Sequence, residues 1–113
     1  MALQILRTFI AVATILTGAV SMFWPLKVLG FTGLAVDGGR GITEIRTILG
    51  ALFVGLGAAA LYINKPETYQ MLGITYITMG VVRVISIFVD DSPVSSNYIS
   101  VAAELVFGIL LML

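Results

Sequence analysis

Charged positions divide this chain into long apolar runs. Lys, Arg, Asp and Glu stand only at 7, 27, 37, 40, 44, 46, 65, 67, 83, 90, 91 and 104. A helix needs about 20 mainly apolar residues to cross a hydrocarbon core about 30 Å thick. Four runs meet or approach that length. The first covers about 6–24, stops at Pro25, and places Phe23 and Trp24 where an interfacial aromatic belt would lie. The second covers about 42–63 and closes at Asn64-Lys65-Pro66. The third covers about 67–89, entered by Pro66 and ended by Asp90-Asp91-Ser92-Pro93. The fourth covers about 97–113 and is the shortest, at roughly 25 Å by helical rise. No segment sustains the period-two alternation of a barrel strand. The pattern predicts an all-α fold, an integral membrane four-helix bundle forming a single domain over 1–113, with both termini on the same side. A secretory signal is the rival reading of the first run, with Arg7 at its start and Ala19-Val20-Ser21 as a small-residue cleavage site. The span is the expectation.

Residues 25–41 form the one long connection. Leu26, Val28, Leu29 and Phe31 alternate there with Lys27 and glycines, so the segment is expected to lie in the headgroup zone rather than to project into water. Asp37-Gly38-Gly39-Arg40-Gly41 then reads as a flexible turn into the second span. That turn lacks a following lysine, which argues against a phosphate loop. Lys and Arg are shared almost evenly between the two faces, so the positive-inside rule gives no orientation.

Composition strengthens the membrane reading. Of 113 residues, 59% are apolar and 11% charged, and mean hydropathy is +1.10. A soluble domain carries about 25% charged residues. Six basic residues balance six acidic ones, leaving no excess to neutralise phosphates, so nucleic acid is not an expected partner. The chain has neither Cys nor His. That removes thiolate and imidazole ligands, the thiol nucleophile and the usual general base near neutral pH. Neither a metal site nor a cofactor is expected, and the five scattered methionines read as core filling.

Charges at membrane depth are the candidate functional residues. Glu44 lies about one turn into the second span. Arg83 and Glu104 each lie about 10 Å below the same face by helical rise. A lone charge near the bilayer centre costs at least about 2.5–3.5 kcal/mol on insertion scales, so such groups should turn inward and pair. The simplest arrangement has Arg83 bridging Glu104 and Glu44, because the guanidinium fork suits two carboxylates. Spacing agrees. Tyr69, Gly73, Tyr76, Gly80, Arg83, Ile87 and Asp90 share one face of the third span, and Ser96, Ser100, Glu104 and Gly108 share one face of the fourth. Thr43, Thr47, Ala51, Gly55 and Ala59 form a similar small-residue row in the second, with Glu44 beside it. Tyr76 is placed to donate to a carboxylate. Arg46 is about 200° around the helix from Glu44, so it is expected to snorkel or to meet another subunit. Arg40, Arg46 and Asp90 are candidates for partner or headgroup contact.

The run Gly39-Arg40-Gly41-Ile42-Thr43-Glu44-Ile45-Arg46, continued by Gly50 through Gly57, resembles the second helix of the domain-of-unknown-function 4345 family of small bacterial membrane proteins. Gly80-Val81-Val82-Arg83-Val84-Ile85-Ser86, with Asp90 beyond it, is similar to that family's third helix. The resemblance covers most of the chain. It implies four spans and a polar cluster from Glu44, Arg46 and Arg83, and it brings no activity with it.

The function expected on these grounds is non-catalytic: an accessory or structural subunit of a larger membrane complex, respiratory, photosynthetic or a membrane monooxygenase. Its partners would be membrane lipids and either other membrane subunits or further copies of itself. The setting would be a bacterial or archaeal inner membrane. The alternative is a small-molecule binder or carrier that uses the buried Glu/Arg cluster for a proton, anion, lipid or quinone head. An intramembrane enzyme would have two carboxylates and a tyrosine for acid–base work, but no nucleophile, metal site or cofactor motif.

Overall fold

The computed structural model describes residues 1–113. It is all-helical. Helix α1 spans Ala2–Phe23, a 3-10 turn follows over Pro25–Val28, and the short α2 spans Leu29–Thr32. Helix α3 covers Gly38–Ile63, α4 Pro66–Val89 and α5 Ser95–Met112. Helices α1, α3, α4 and α5 are each long and apolar enough to cross a membrane. Only 17–28% of the residues in their most apolar stretches are buried, so most of each apolar helix surface is exposed.

The chain divides into two compact units, Thr8–Ile63 and Met1–Arg7 with Asn64–Leu113. The first is an antiparallel pairing of α1 with α3. Glycine sets its spacing: a Cβ on Gly18 would stand 2.6 Å from the Gly50 carbonyl oxygen, and one on Gly57 would stand 2.6 Å from that of Ala11. Small residues at these points admit close backbone contact between the two helices. The contacts fall on Gly50 and Gly57 and not on the expected row through Gly55, which is exposed. Over Ile45–Ala51 the helix widens to π geometry, with the Leu52 amide donating to the Thr47 carbonyl.

The second unit pairs α4 with α5, also antiparallel. Gly73 and Gly108 face each other, each with the other's carbonyl oxygen 3.0 Å from where a Cβ would be. Buried Tyr69, Gly73, Tyr76, Gly80 and Ile87 follow the face read from the sequence. The N-terminal turn of α1 joins this unit: Gln4 donates to Asn64, and the Arg7 guanidinium lies over the Tyr69 ring at 5.5 Å. Leu111 packs on Gly73, so both chain ends lie toward the start of α4.

Helix ends follow local chemistry. Asn64 and Asp91 take left-handed conformations, at φ 51° and 48°, as Asn and Asp tolerate at helix exits. Pro66 opens α4, and the Ser92 amide closes it by donating to the Ile87 carbonyl at 3.0 Å. One expectation is corrected here: residues 38–41 are helical rather than a flexible turn. The rest of the 25–41 connection contains a 3-10 turn and a short helix. The hydroxyls of Thr14, Thr17, Thr75 and Thr78 donate to carbonyls one turn back in their own helices, which satisfies them without water.

Gly108→Leu is predicted to destabilise the chain by about 1–3 kcal/mol through overpacking, because a Cβ there meets Ile77 at 2.5 Å. Gly30→Ala, facing open space, should change stability by less than about 0.5 kcal/mol. Thermal unfolding followed by circular dichroism in mild detergent separates the two.

Candidate functional site

Arg83 and Glu104 form the principal polar site. Close approach at Gly80, where a Cβ would lie 2.6 Å from Leu105, brings α4 near enough to α5 for a two-pronged ion pair. Nε of Arg83 donates to Oε1 of Glu104 at 2.7 Å, and Nη2 donates to Oε2 at 2.9 Å. Nη1 donates to Oδ1 of Asn97 at 3.1 Å, and the Asn97 amide nitrogen donates in turn to the Ser92 carbonyl. Asn97 and Glu104 stand seven positions apart on α5, which puts them on one face. The Glu104 side chain is 10% exposed and that of Arg83 36%. The open side of Arg83 borders a cavity of about 530 Å³, whose lining includes Thr78, Ser86, Asp90 and Asn97.

The expected three-way bridge is corrected. Glu44 is exposed and accepts from Arg40, one turn back on α3. Residues four apart on a helix are neighbours, and that local partner satisfies the carboxylate within its own helix. Tyr76 is buried with its ring edge-on to Phe107, at 5.6 Å between centroids; it belongs to the packed face beside the ion pair. Arg46 reaches the end of α1. Its Nη1 donates to the Met22 carbonyl at 2.6 Å, capping the C-terminal end of α1. Asp90 lines the Arg83 cavity, and Arg40 is held by Glu44.

Two polar groupings had no counterpart in the sequence pattern. Asn64 is a hub: its Oδ1 accepts from the Tyr69 hydroxyl at 2.8 Å and from the Gln4 amide at 3.0 Å. Its signal was a lone Asn just after a helix and two residues before a proline, a left-handed exit whose side chain is free to accept. Lys27 is the other. It lies over the Trp24 ring at 5.8 Å, and both border a second cavity of about 310 Å³ together with Arg46.

A family model described as Domain of unknown function (DUF4345) matches residues 2–113. Neither the curated proteins nor the solved structures contain a match to this chain.

Removing one member of the ion pair leaves the other charge buried and alone, whereas removing both does not. Arg83→Met is therefore predicted to cost about 3 kcal/mol. The Arg83→Met, Glu104→Met double variant should cost clearly less than the sum of its singles, with a coupling of about 2 kcal/mol. A double-mutant cycle of detergent unfolding curves measures that coupling.

Proposed function

The chain belongs to the DUF4345 family, and on that premise we propose that it is a small non-catalytic integral membrane protein that packs as an accessory subunit against other transmembrane helices. One observation carries the reading. Gly18, Gly50, Gly57, Gly73, Gly80 and Gly108 are all occupied by packing within the chain, each with an atom within 3.0 Å of a notional Cβ. Gly55 has nothing within 4 Å. It stands on α3 in an exposed row with Ala51 and Ala59, the small-residue spacing at which a further helix can make backbone contact. The side chains around it are apolar and open: Ile48 is 51% exposed and Leu52 49%.

The composition supports a non-catalytic role, since the chain carries no His or Cys and the candidate acid–base carboxylates, Glu44 and Glu104, are each paired with an arginine. Helical spans suit a bacterial or archaeal inner membrane, because outer-membrane proteins span as β-barrels. The partner is a larger membrane complex or a second copy of this chain, with lipid covering the rest of the apolar surface.

A second reading, a small-molecule binder, is favoured by the open cavity beside Arg83. Because Glu104 already neutralises the guanidinium and Asp90 adds a carboxylate, this groove suits a hydrogen-bonding neutral or cationic head better than an anion. Loss of a co-purifying small molecule in Asp90→Asn, with the fold intact, would support it.

The subunit reading is tested by tagged purification in mild detergent. The native chain should emerge with a second polypeptide or as a homo-oligomer. Gly55→Leu should release that partner while leaving the thermal unfolding midpoint unchanged. A native chain that runs as a lone, stable monomer contradicts the reading.

A further inference from the structure

The cavity at the end of α1 differs from the Arg83 groove in its charge. Its lining includes Phe23, Trp24, Pro25, Lys27, Ile42 and Arg46, and it contains no carboxylate. The chain's side-chain ion pairs are Arg40–Glu44 and Arg83–Glu104, so Lys27 and Arg46 are cations without a counter-ion. Their positions are fixed by other means. Arg46 donates one N–H to the Met22 carbonyl at 2.6 Å, which leaves the rest of its five donors for a ligand. Lys27 rests over the Trp24 ring, an attraction that holds an ammonium without neutralising it. Arg46 also lies in the π-widened stretch of α3, the kind of helix defect that gathers at functional sites.

The rest of the lining is apolar, and its level suits a lipid. Phe23 and Trp24 are 60% and 53% exposed at the last turn of a helix long enough to span a bilayer, the position where aromatic belts meet the headgroups. We propose that this cavity binds the phosphate of an anionic phospholipid between Lys27 and Arg46, with the acyl chains lying against Phe23 and Ile42. Phosphate accepts from both cations at once, and the guanidinium can present paired N–H groups to it. Basic pockets between helices at one membrane face recognise anionic headgroups on this principle. The assignment rests on the membrane placement and is independent of the subunit reading.

Trp24 is the chain's one tryptophan, so its fluorescence reports this cavity alone. The full chain is reconstituted in phosphatidylcholine vesicles containing increasing fractions of brominated phosphatidylglycerol or, in parallel, brominated phosphatidylcholine. Brominated phosphatidylglycerol should quench Trp24 at lower mole fraction. Lys27→Gln should raise the fraction required by about fivefold, the loss of one cation near an anionic surface; Lys65→Gln, outside the cavity, should leave it unchanged. Inorganic phosphate at matched concentration should not displace the lipid. Equal quenching by both lipids, indifference to Lys27→Gln, or displacement by free phosphate would each overturn the lipid site. The first is the result expected if a protein carboxylate is the true occupant. No quenching by either lipid would mean that the helices do not enter the bilayer, and the membrane placement itself would fail.

Discussion

Close backbone contact at glycine is what the rest of this structure depends on. In the Thr8–Ile63 unit, Gly18, Gly50 and Gly57 let α1 and α3 touch main chain to main chain. In the other unit, Gly73 and Gly108 do the same for α4 and α5, and Gly80 lets the Leu105 side chain seat against the backbone of α4. The polar chemistry depends on that spacing. Arg83 can reach both oxygens of Glu104 because α5 stands against Gly80, and Arg46 can reach the Met22 carbonyl because Gly50 brings α3 onto the end of α1. Bulkier residues at these points would push the helices apart and leave both arginines short of their partners.

That geometry sorts the cations by role. Arg83 and Arg40 are neutralised by carboxylates, one across a helix pair and one along a helix. Arg7 and Lys27 lie over aromatic rings, and Arg46 caps a carbonyl. Carboxylate pairing is what lets the largely buried Glu104 stay ionised beside Arg83. Ring stacking and carbonyl capping instead orient a cation while its charge stays available. The two cavities inherit that difference: one is bordered by a carboxylate-paired arginine, the other by two cations without a counter-ion.

Much of this was legible in the sequence where the helix is regular. The face through Tyr69, Gly73, Tyr76, Gly80 and Arg83 follows ideal helical phase, and α4 keeps that phase throughout. Depth from the helix ends matched Arg83 with Glu104. Depth carries no information on direction around the helix, however, and Glu44 was assigned by depth. The closer signal was Arg40, four positions earlier. In α3 the periodic reading failed for a different reason: α3 carries glycines on two faces, and the packed one runs through Gly50 and Gly57 while Thr43, Thr47, Ala51, Gly55 and Ala59 are all exposed. The Lys27–Arg46 cavity was not legible, because it arises where the chain reverses after Trp24 and brings together positions 19 residues apart. Asn64 became a hub through a short turn whose conformation no periodicity encodes.

The membrane placement is our proposal: if α1, α3, α4 and α5, each long and apolar enough to span, do cross a bilayer, successive connections must alternate between its two faces. The chain has no cysteine, so single cysteines can be introduced against a blank background and labelled in sealed membranes with an impermeant maleimide. Asp37→Cys and Asp91→Cys should react from one face, Lys65→Cys from the opposite face, and Ile74→Cys and Val106→Cys from neither. Reaction of Ile74→Cys and Val106→Cys as fast as the loop positions, or of all five from a single face, would contradict it.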